Sequence, residues 1–262
     1  MKEYAPAQLR NVGLFSHGGA GKTTLSEALL FRAGAITRMG SIDDGNTTTD
    51  FDPDEVRRQM SVSLAVAPLE WQGHKINLLD TPGYADFYGA VAEAVRVVDG
   101  AVILVDGVAG PQVGTDAVWK RTSHLPRLIV VNKMDRENSD YRSVLDSLRE
   151  RYGKGVVPLT FPIGRADSLS GVVDVLEGKA YLAGKQGAEA PPPAEQGSID
   201  QLREMLVESA CELDDDLINK YLEGEEITTQ ELVKALGKAC SNKSCFRCSP
   251  SLVRDRLDWT RC

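Results

Sequence analysis

Three short strings of residues in this chain have the residue types and the spacing of phosphate, metal and base ligands. They are residues 16–23 (Ser-His-Gly-Gly-Ala-Gly-Lys-Thr), residues 80–83 (Asp-Thr-Pro-Gly) and residues 132–135 (Asn-Lys-Met-Asp). Each string comes at the end of an apolar run that predicts a buried strand, over residues 11–15, 76–80 and 128–132. Any one string could be a coincidence, but all three in this order predict a site for a magnesium-bound guanine nucleotide.

The first string predicts a phosphate site. A glycine-rich turn between a strand and a helix lets backbone N–H groups approach the β-phosphate, and the helix N-terminus adds a partial positive charge. Lys22 would neutralise the β- and γ-phosphate oxygens, and the Thr23 hydroxyl would bind magnesium. His17 is expected to stabilise the turn. The predicted phosphate-binding residues are His17, Gly18, Gly19, Ala20, Gly21, Lys22, Thr23 and Thr24. The alternative is a glycine turn that only caps a helix.

The second and third strings predict the remaining nucleotide contacts. Asp80 would hold magnesium through a water molecule, and the Gly83 N–H would bond the γ-phosphate, unless this string is an ordinary Pro-Gly turn. Asn132, Lys133 and Asp135 would select the base. A carboxylate that accepts hydrogen bonds from guanine N1 and N2 finds no matching donors on adenine, and such pairing rejects the wrong partner about 10⁴–10⁵-fold. The alternative for Asp135 is a solvated turn.

The surrounding pattern predicts an α/β fold. Up to about residue 152, short β-branched runs alternate with amphipathic stretches such as 24–32 and 85–98, which favours a P-loop three-layer αβα core with a mostly parallel sheet. The irregular polar stretch 38–60 predicts a functional loop. Antiparallel strands are predicted within 156–164 and 171–182, a flexible loop over 184–197, and helices over 199–212, 215–222 and 228–238. The predicted domains are a core (1–155), a small inserted α+β subdomain (156–239) and an atypical tail (240–262).

Composition narrows the class of protein. The net charge of −8 gives no overall footprint for nucleic acid, so we expect no direct DNA binding and at most local contact with RNA. The first residues lack the apolar core of a signal peptide, and no apolar run approaches membrane-spanning length. We therefore expect a cytoplasmic protein that does not bind membranes and is monomeric.

The motifs together resemble those of the translational GTPases, specifically elongation factor G and its elongation factor G-like branch. The resemblance runs from about residue 11 to residue 239. It rests on the three strings and on residues 43–55, 80–87, 106–112, 132–136, 161–164 and 171–175. It implies a GTPase that uses Mg²⁺, converts GTP to GDP, and is activated by the factor-binding region of the 50S ribosomal subunit. The intact parent would promote translocation or ribosome recycling.

Three positions depart from the family pattern. Ser61 aligns with a threonine that completes the magnesium shell, so the predicted metal ligands are Thr23, Ser61 and, through water, Asp80. Gly19 replaces an aspartate of the family P-loop. Tyr84 replaces a histidine that orients the attacking water, and a tyrosine, with its reference pKa of about 10, is a poor proton acceptor. Because positioning carries most phosphoryl-transfer catalysis, the predicted catalytic set is Tyr84, Lys22 and Gly83.

Other interpretations remain open. Tyr84 could instead be a packing residue in a switch outside translation that binds a protein partner with little hydrolysis. The chain could also be a non-functional truncated fragment. The resemblance stops after residue 239, where the family continues with a strand, a guanine-contacting loop and a helix.

The tail has three interpretations. A reading-frame shift near codon 239 would account for the lost resemblance, and it predicts weak GDP binding and a tendency to aggregate. A zinc site would use Cys240, Cys245, Cys248 and Cys262, of which Cys245 and Cys248 have ligand spacing. A disordered tail with incidental thiols is the third.

Overall fold

The computed structural model describes residues 2–185, 187–212, 214–225, 227–241 and 246–250. The chain divides into two compact units. Unit 1 contains the described residues up to Val105 together with Gln112–Leu125, and unit 2 contains Asp106–Pro111 and the described residues from Pro126 onward. The domain boundary at residue 155 that the sequence suggests stays a prediction.

Unit 1 is built on four neighbouring strands. They are β1 (Leu9–Ser16), β2 (Ala65–Trp71), β3 (His74–Asp80) and β4 (Gly100–Asp106), which ends at the unit boundary. Their order is β2-β3-β1-β4. Strand β1 runs parallel to β3 and β4, whereas β2 pairs antiparallel with β3. Parallel order brings the carboxyl ends of β1 and β3, where two of the three motifs begin, to the same edge.

Helices cover both faces of these strands. The helices of unit 1 are α1 (Lys22–Arg32), α2 (Pro53–Arg58), α3 (Tyr88–Val97) and α4 (Val113–Arg121). Successive strand residues point to opposite faces, so Leu79 packs with α3 residues such as Val91, while Leu78 packs with Leu30 of α1. Burial on both faces explains the apolar run of β4 and the buried carboxyl-terminal halves of β1 and β3, whereas exposed and buried residues alternate along β2. Helix α2 lies in the stretch 38–60 that the sequence pattern describes as irregular.

Unit 2 contains two sheets. Its strands are β5 (Arg127–Asn132), β6 (Val156–Pro158), β7 (Thr160–Ile163), β8 (Gly171–Asp174), β9 (Lys179–Leu182) and β10 (Phe246–Pro250). Strands β7, β8 and β9 form an antiparallel sheet. Strand β10 lies between β5 and β6 and runs parallel to both. The stretch 156–164 therefore differs from the expected antiparallel strand: its first part, β6, belongs to a parallel pair, and only β7 joins the antiparallel sheet.

Strand β10 falls in the tail, where the sequence pattern indicates no regular element. Strand β5 and strand β6 each have backbone N–H and C=O groups that need partners, and β10 supplies them, so the strand depends on backbone pairing more than on its side-chain pattern. Residues 242–245 and 251–262 lie outside the described residues. Two of the four cysteines of the zinc hypothesis, Cys245 and Cys262, are among them, so that hypothesis and the frameshift stay predictions.

The helices of unit 2 are α5 (Tyr141–Tyr152), α6 (Gln196–Cys211), α7 (Asp215–Leu222) and α8 (Thr229–Ser241). Helix α6 buries Ile199 against Ile163 of β7 and Val173 of β8, which ties the helices to the antiparallel sheet. Helix α6 begins inside the stretch 184–197 that composition suggests is a loop. No described helix has the length and apolar character that a membrane span requires.

Candidate nucleotide site

The turn between β1 and α1 has the backbone geometry of a phosphate cradle. Gly19 and Gly21 have φ angles of +78° and +95°, in the left-handed region that favours glycine. Gly21 is also the N-cap of α1, and no side chain caps the helix there. The N–H groups of the first turn therefore remain available to an anion, and the helix dipole favours negative charge at this end. The predicted residues 17–24 all lie in this turn or in the first turn of α1.

Lys22 is buried at the base of the turn. Its side chain is 5% exposed, and its Nζ donates a hydrogen bond to the Ser16 Oγ at 2.8 Å. Burial lowers the pKa of Lys22, and the negative charges of Asp80 and Asp50 oppose that shift. The Ser16 hydroxyl in turn donates to the backbone oxygen of His17 at 2.6 Å. Ser16, at the first position of the motif, thus positions the lysine ammonium, a role that sequence reasoning missed.

The three predicted metal ligands lie together in unit 1. The hydroxyl oxygens of Thr23 and Ser61 are 3.2 Å apart. Asp80 is 1% exposed, and its Oδ2 accepts a hydrogen bond from the Thr49 Oγ1 at 2.9 Å. The Thr23 hydroxyl also favours the charged form of the Asp80 carboxyl, which acts to lower its pKa. A loop residue that the sequence analysis did not single out, Thr49, therefore completes a cluster of oxygen atoms from α1, β3 and two loops.

The chemistry of this cluster fits Mg²⁺. Burial raises the pKa of Asp80 to about 6, although the Lys22 charge and the Thr49 hydrogen bond oppose the shift. Its Oδ1 is buried and has no hydrogen-bond partner in the described part of the chain. Carboxylate and hydroxyl oxygens are ligands that Mg²⁺ accepts, usually with phosphates and water in its shell. Within the described ranges, no three His, Cys, Asp or Glu side chains form a metal group by themselves, so phosphate and water oxygens would complete the shell.

The residues after β3 lie directly against the glycine turn. A Cβ atom on Gly83 would be 2.7 Å from the Gly18 Cα and 2.7 Å from the Lys22 Nζ, so only glycine fits there. The Tyr84 ring covers Gly18, since a Cβ on Gly18 would lie 3.0 Å from a ring carbon. Tyr84 nevertheless keeps 45% of its surface exposed. The predicted catalytic residues Tyr84, Lys22 and Gly83 are therefore neighbours.

His17 packs against helix α4 and has a structural role. A Cβ on Gly114, at the start of α4, would lie 2.6 Å from the His17 Nδ1, so the imidazole packs closely on that helix. This contact fits the predicted role of His17 as a residue that stabilises the turn.

Two buried glutamates hold the loops that carry Thr49 and Ser61. The carboxylate of Glu27, in α1, accepts hydrogen bonds from the backbone N–H of Gly40 at 2.7 Å and of Thr48 at 2.5 Å. Glu55, in α2, accepts the N–H groups of Val62 and Ser63 at 2.9 and 3.0 Å. Sequence reasoning missed both glutamates. The only available signal was that a long polar loop must have its backbone groups satisfied.

The third motif lies in unit 2, at the end of β5. Lys133 has a φ of +61°, a conformation that non-glycine residues adopt at a cost of about 1–3 kcal/mol. Its Nζ forms an ion pair with the Asp106 Oδ2 at 2.8 Å, and the Asn132 backbone oxygen accepts the Gly107 N–H at 2.7 Å. These two bonds hold the strained residue in place. Asp135, the predicted guanine ligand, is half-buried.

Asp106 organises this motif. Burial raises the pKa of its carboxyl, but the hydrogen bond from Lys133 and those from the backbone N–H groups of Ala109 and Val108 outweigh burial, so the pKa lies below its ordinary value. The side chain is therefore an ionised partner for Lys133. A sequence signal for this role existed, because Asp106 is a polar residue that ends a strand, as Asp80 and Asn132 do.

Comparisons with known proteins agree with this geometry. Residues 7–248 match the family model described as the elongation factor Tu GTP binding domain. A crystal structure of a protein from Thermus thermophilus is similar, with a TM-score of 0.86 and 38% sequence identity. The similarity covers 94% of this chain but 37% of the Thermus chain. This chain therefore spans little more than a third of the length of that relative.

Proposed function

Because the chain belongs to the elongation factor Tu GTP-binding domain family, the G domain of translational GTPases, we propose that it binds GTP and GDP with Mg²⁺ and hydrolyses GTP in response to the ribosome. The observation that carries this proposal is the buried Lys22 ammonium beneath an uncapped glycine turn. Such an arrangement fits a phosphate, because the ammonium group and the N–H groups of the turn both favour an anion.

Each group of residues has a separate task in the proposed reaction. The N–H groups of the glycine turn bind the β-phosphate, and Lys22 neutralises the β- and γ-oxygens. Mg²⁺, when bound, supplies positive charge that stabilises the transferring phosphoryl group. Thr23 and Ser61 would hold that ion, and Asp80 would hold it through a water molecule. The Gly83 N–H bonds the γ-phosphate, so that hydrolysis releases the loop that follows β3.

The base would be bound by unit 2. Asp135 accepts the two guanine N–H groups, while Asn132 and Lys133 hold the motif around the base. The left-handed conformation of Lys133, fixed by Asp106, supports the idea that this turn is preorganised. A preorganised turn loses less free energy on binding than one that must be ordered by the ligand.

Tyr84 decides how fast the proposed hydrolysis runs. The phenol hydroxyl can donate a hydrogen bond and so position the attacking water, but it removes a proton poorly at neutral pH. We therefore infer a slow intrinsic GTPase. A second candidate function, a switch outside translation with little hydrolysis, is favoured by the packing of the Tyr84 ring on Gly18.

The proposed partner is the ribosome, in translocation or recycling by a longer, elongation factor G-like protein. That partner would place the protein in the cytoplasm. The observation in favour is the antiparallel sheet β7-β8-β9 with its helices, which resembles the inserted subdomain of elongation factor G and has no part in nucleotide chemistry.

A single-turnover assay separates these possibilities. Release of phosphate from GTP is measured with and without 70S ribosomes for the wild type, Tyr84→Phe and Tyr84→Ala. A hydroxyl that positions water predicts that both variants lose at least about tenfold in rate. A packing role predicts that Tyr84→Phe keeps the wild-type rate. Tyr88→Phe, a change of the same chemistry on α3, serves as the control. No stimulation by ribosomes would contradict the translational role.

A further inference from the structure

Strand β10 lies between β5 and β6 and pairs with both of them. The residues of β5 and β6 that flank it are apolar and buried: Ile129 and Val131 of β5 and Val156 and Val157 of β6 are all 0% exposed. Helices α5 and α6 both contact β6, so these strands belong to the interior of unit 2. The position of β10 is therefore a slot for a central strand, with β5 on one side and β6 on the other.

The residue types of β10 suit this slot poorly. Central strands of parallel sheets are nearly continuous apolar runs, because both of their faces are buried. The register instead places Arg247 between Leu128 and Val157, and Ser249 follows two positions later. Pro250 has no backbone N–H to donate, and proline within sheets is confined to edge strands, strand starts and bulges for that reason. Three of the five residues of β10 are thus atypical of a central strand.

The slot favours a different kind of occupant. The backbone N–H and C=O groups of β5 and β6 need partners whichever segment supplies them, since an unpaired buried group is costly. The apolar neighbours favour uncharged β-branched or aromatic residues, which pack well in strands. An extended segment with such residues, and with an N–H at every position, would meet both requirements better than β10 does. Proteins do recognise extended peptides by adding them to a sheet as a strand.

We propose that the slot between β5 and β6 is an exchangeable strand site, which binds an extended, uncharged segment of another polypeptide in place of β10. The segment runs parallel to β5, in the register that residues 246–250 now occupy. Main-chain hydrogen bonds supply affinity for any strand, and the buried apolar neighbours exclude charged segments. The proposal goes beyond the GTPase function, and its test uses the nucleotide-free chain.

The test measures the binding of two fluorescein-labelled peptides to the full chain by fluorescence anisotropy, in the presence of a reductant. One peptide has the sequence of residues 244–252, and the other, the apolar peptide, carries Arg247→Val, Ser249→Val and Pro250→Val. The apolar peptide is expected to bind saturably and at least about tenfold more tightly than the unchanged peptide. Equal binding of the two peptides, or no saturable binding of the apolar peptide, would overturn the proposal.

Two variants of the chain show whether the apolar peptide occupies the slot. The same three substitutions made in the chain itself should abolish peptide binding, because β10 then holds the slot. Arg165→Val is the matched control, since Arg165 is exposed in a loop of unit 2 and loses the same charge, and it should leave peptide binding unchanged. Peptide binding that persists in the triple variant is non-specific adhesion and contradicts the proposal.

A second measurement decides the matter if the triple variant does not fold. The apolar peptide carries a nitroxide spin label at its N-terminus, and amide signals of the wild-type chain are recorded by NMR. A strand parallel to β5 should broaden the signals of Leu128 and Val156, near the starts of β5 and β6, more than that of Asn132. Stronger broadening at Asn132, or broadening only outside β5 and β6, overturns the proposal. Dimers in sedimentation that the apolar peptide does not dissociate would make a second copy the occupant, which also contradicts it.

Discussion

The contact between Gly83 and the glycine turn can be tested with a single methyl group. In Gly83→Ala, the new Cβ would lie 2.7 Å from the Gly18 Cα and 2.9 Å from the Gly18 N. The lysine Nζ at 2.7 Å could move aside, but the backbone of the turn cannot do so without distorting the phosphate cradle. Overpacking of this kind costs about 1–3 kcal/mol, and at 1.4 kcal/mol for each factor of ten that is about a 5- to 150-fold effect.

The matched control is Gly89→Ala. Gly89 is exposed in the first turn of α3, and a Cβ there would meet nothing within 4 Å. Neither glycine has a left-handed φ angle, so alanine is compatible with both backbones. Alanine in a helix is more stable than glycine by about 0.5–1 kcal/mol. The same substitution is therefore expected to lower the free energy of unfolding at residue 83 and to raise it at residue 89.

The assay is urea unfolding followed by circular dichroism, together with the affinity for a fluorescent GTP analogue. Gly83→Ala is expected to lower the free energy of unfolding and the affinity for the GTP analogue, and Gly89→Ala to leave affinity unchanged and stability equal or higher. If Gly83→Ala matches Gly89→Ala in both measurements, the loop after β3 does not pack on the glycine turn, and the reasoning about the γ-phosphate contact is wrong.

Three further predictions concern unit 2. Asp135→Asn should weaken the binding of guanine nucleotides at least about 100-fold, as measured in competition assays. The same variant should gain binding of xanthosine diphosphate, because that base has an oxygen at C2 in place of the guanine amine. Asp106→Asn should weaken GDP binding by about 1–2 kcal/mol, because Lys133 loses its charged partner. In a double-mutant cycle, Lys133→Ala should weaken GDP binding less in the Asp106→Asn background than in the wild type. The third prediction is a pH dependence. The hydrogen bond from Lys220, with those from Thr228, lowers the pKa of Glu231 from 4.5 to about 2. The folded-state pKa is depressed, so the stabilisation is complete above pH 4.5 and is lost as the pH falls toward 2. Glu231→Gln should therefore be less stable than the wild type at neutral pH and equally stable once the pH has fallen to the folded-state pKa, in thermal unfolding.

The sequence was sufficient for the parts of the molecule that short-range chemistry determines. The apolar runs before the motifs are strands, the motifs lie at their carboxyl ends, and both the α/β fold and the membership in the elongation factor G-like translational GTPases are confirmed. A strand followed by Gly-Lys-Thr leaves few structural options, because only glycine accepts the left-handed turn at Gly21 that precedes the helix.

Contacts between distant segments could not be predicted in this way. Thr49 meets Asp80 across 31 residues of chain, and nothing in a polar loop indicates which of its side chains turn inward. Strand β10 was also not predicted, since its partners β5 and β6 are far away in the sequence and its own residues show no alternation.

The central claim is that the chain binds guanine nucleotides through Lys22. Isothermal titration with GDP and Mg²⁺ tests it most directly, in the wild type, in Lys22→Ala and in Lys120→Ala, which removes an exposed lysine from α4. The account predicts one GDP for each chain, displaced by GTP but not by ATP, with binding lost in Lys22→Ala and kept in Lys120→Ala. Equal displacement by ATP, or undiminished GDP binding by Lys22→Ala, would contradict it.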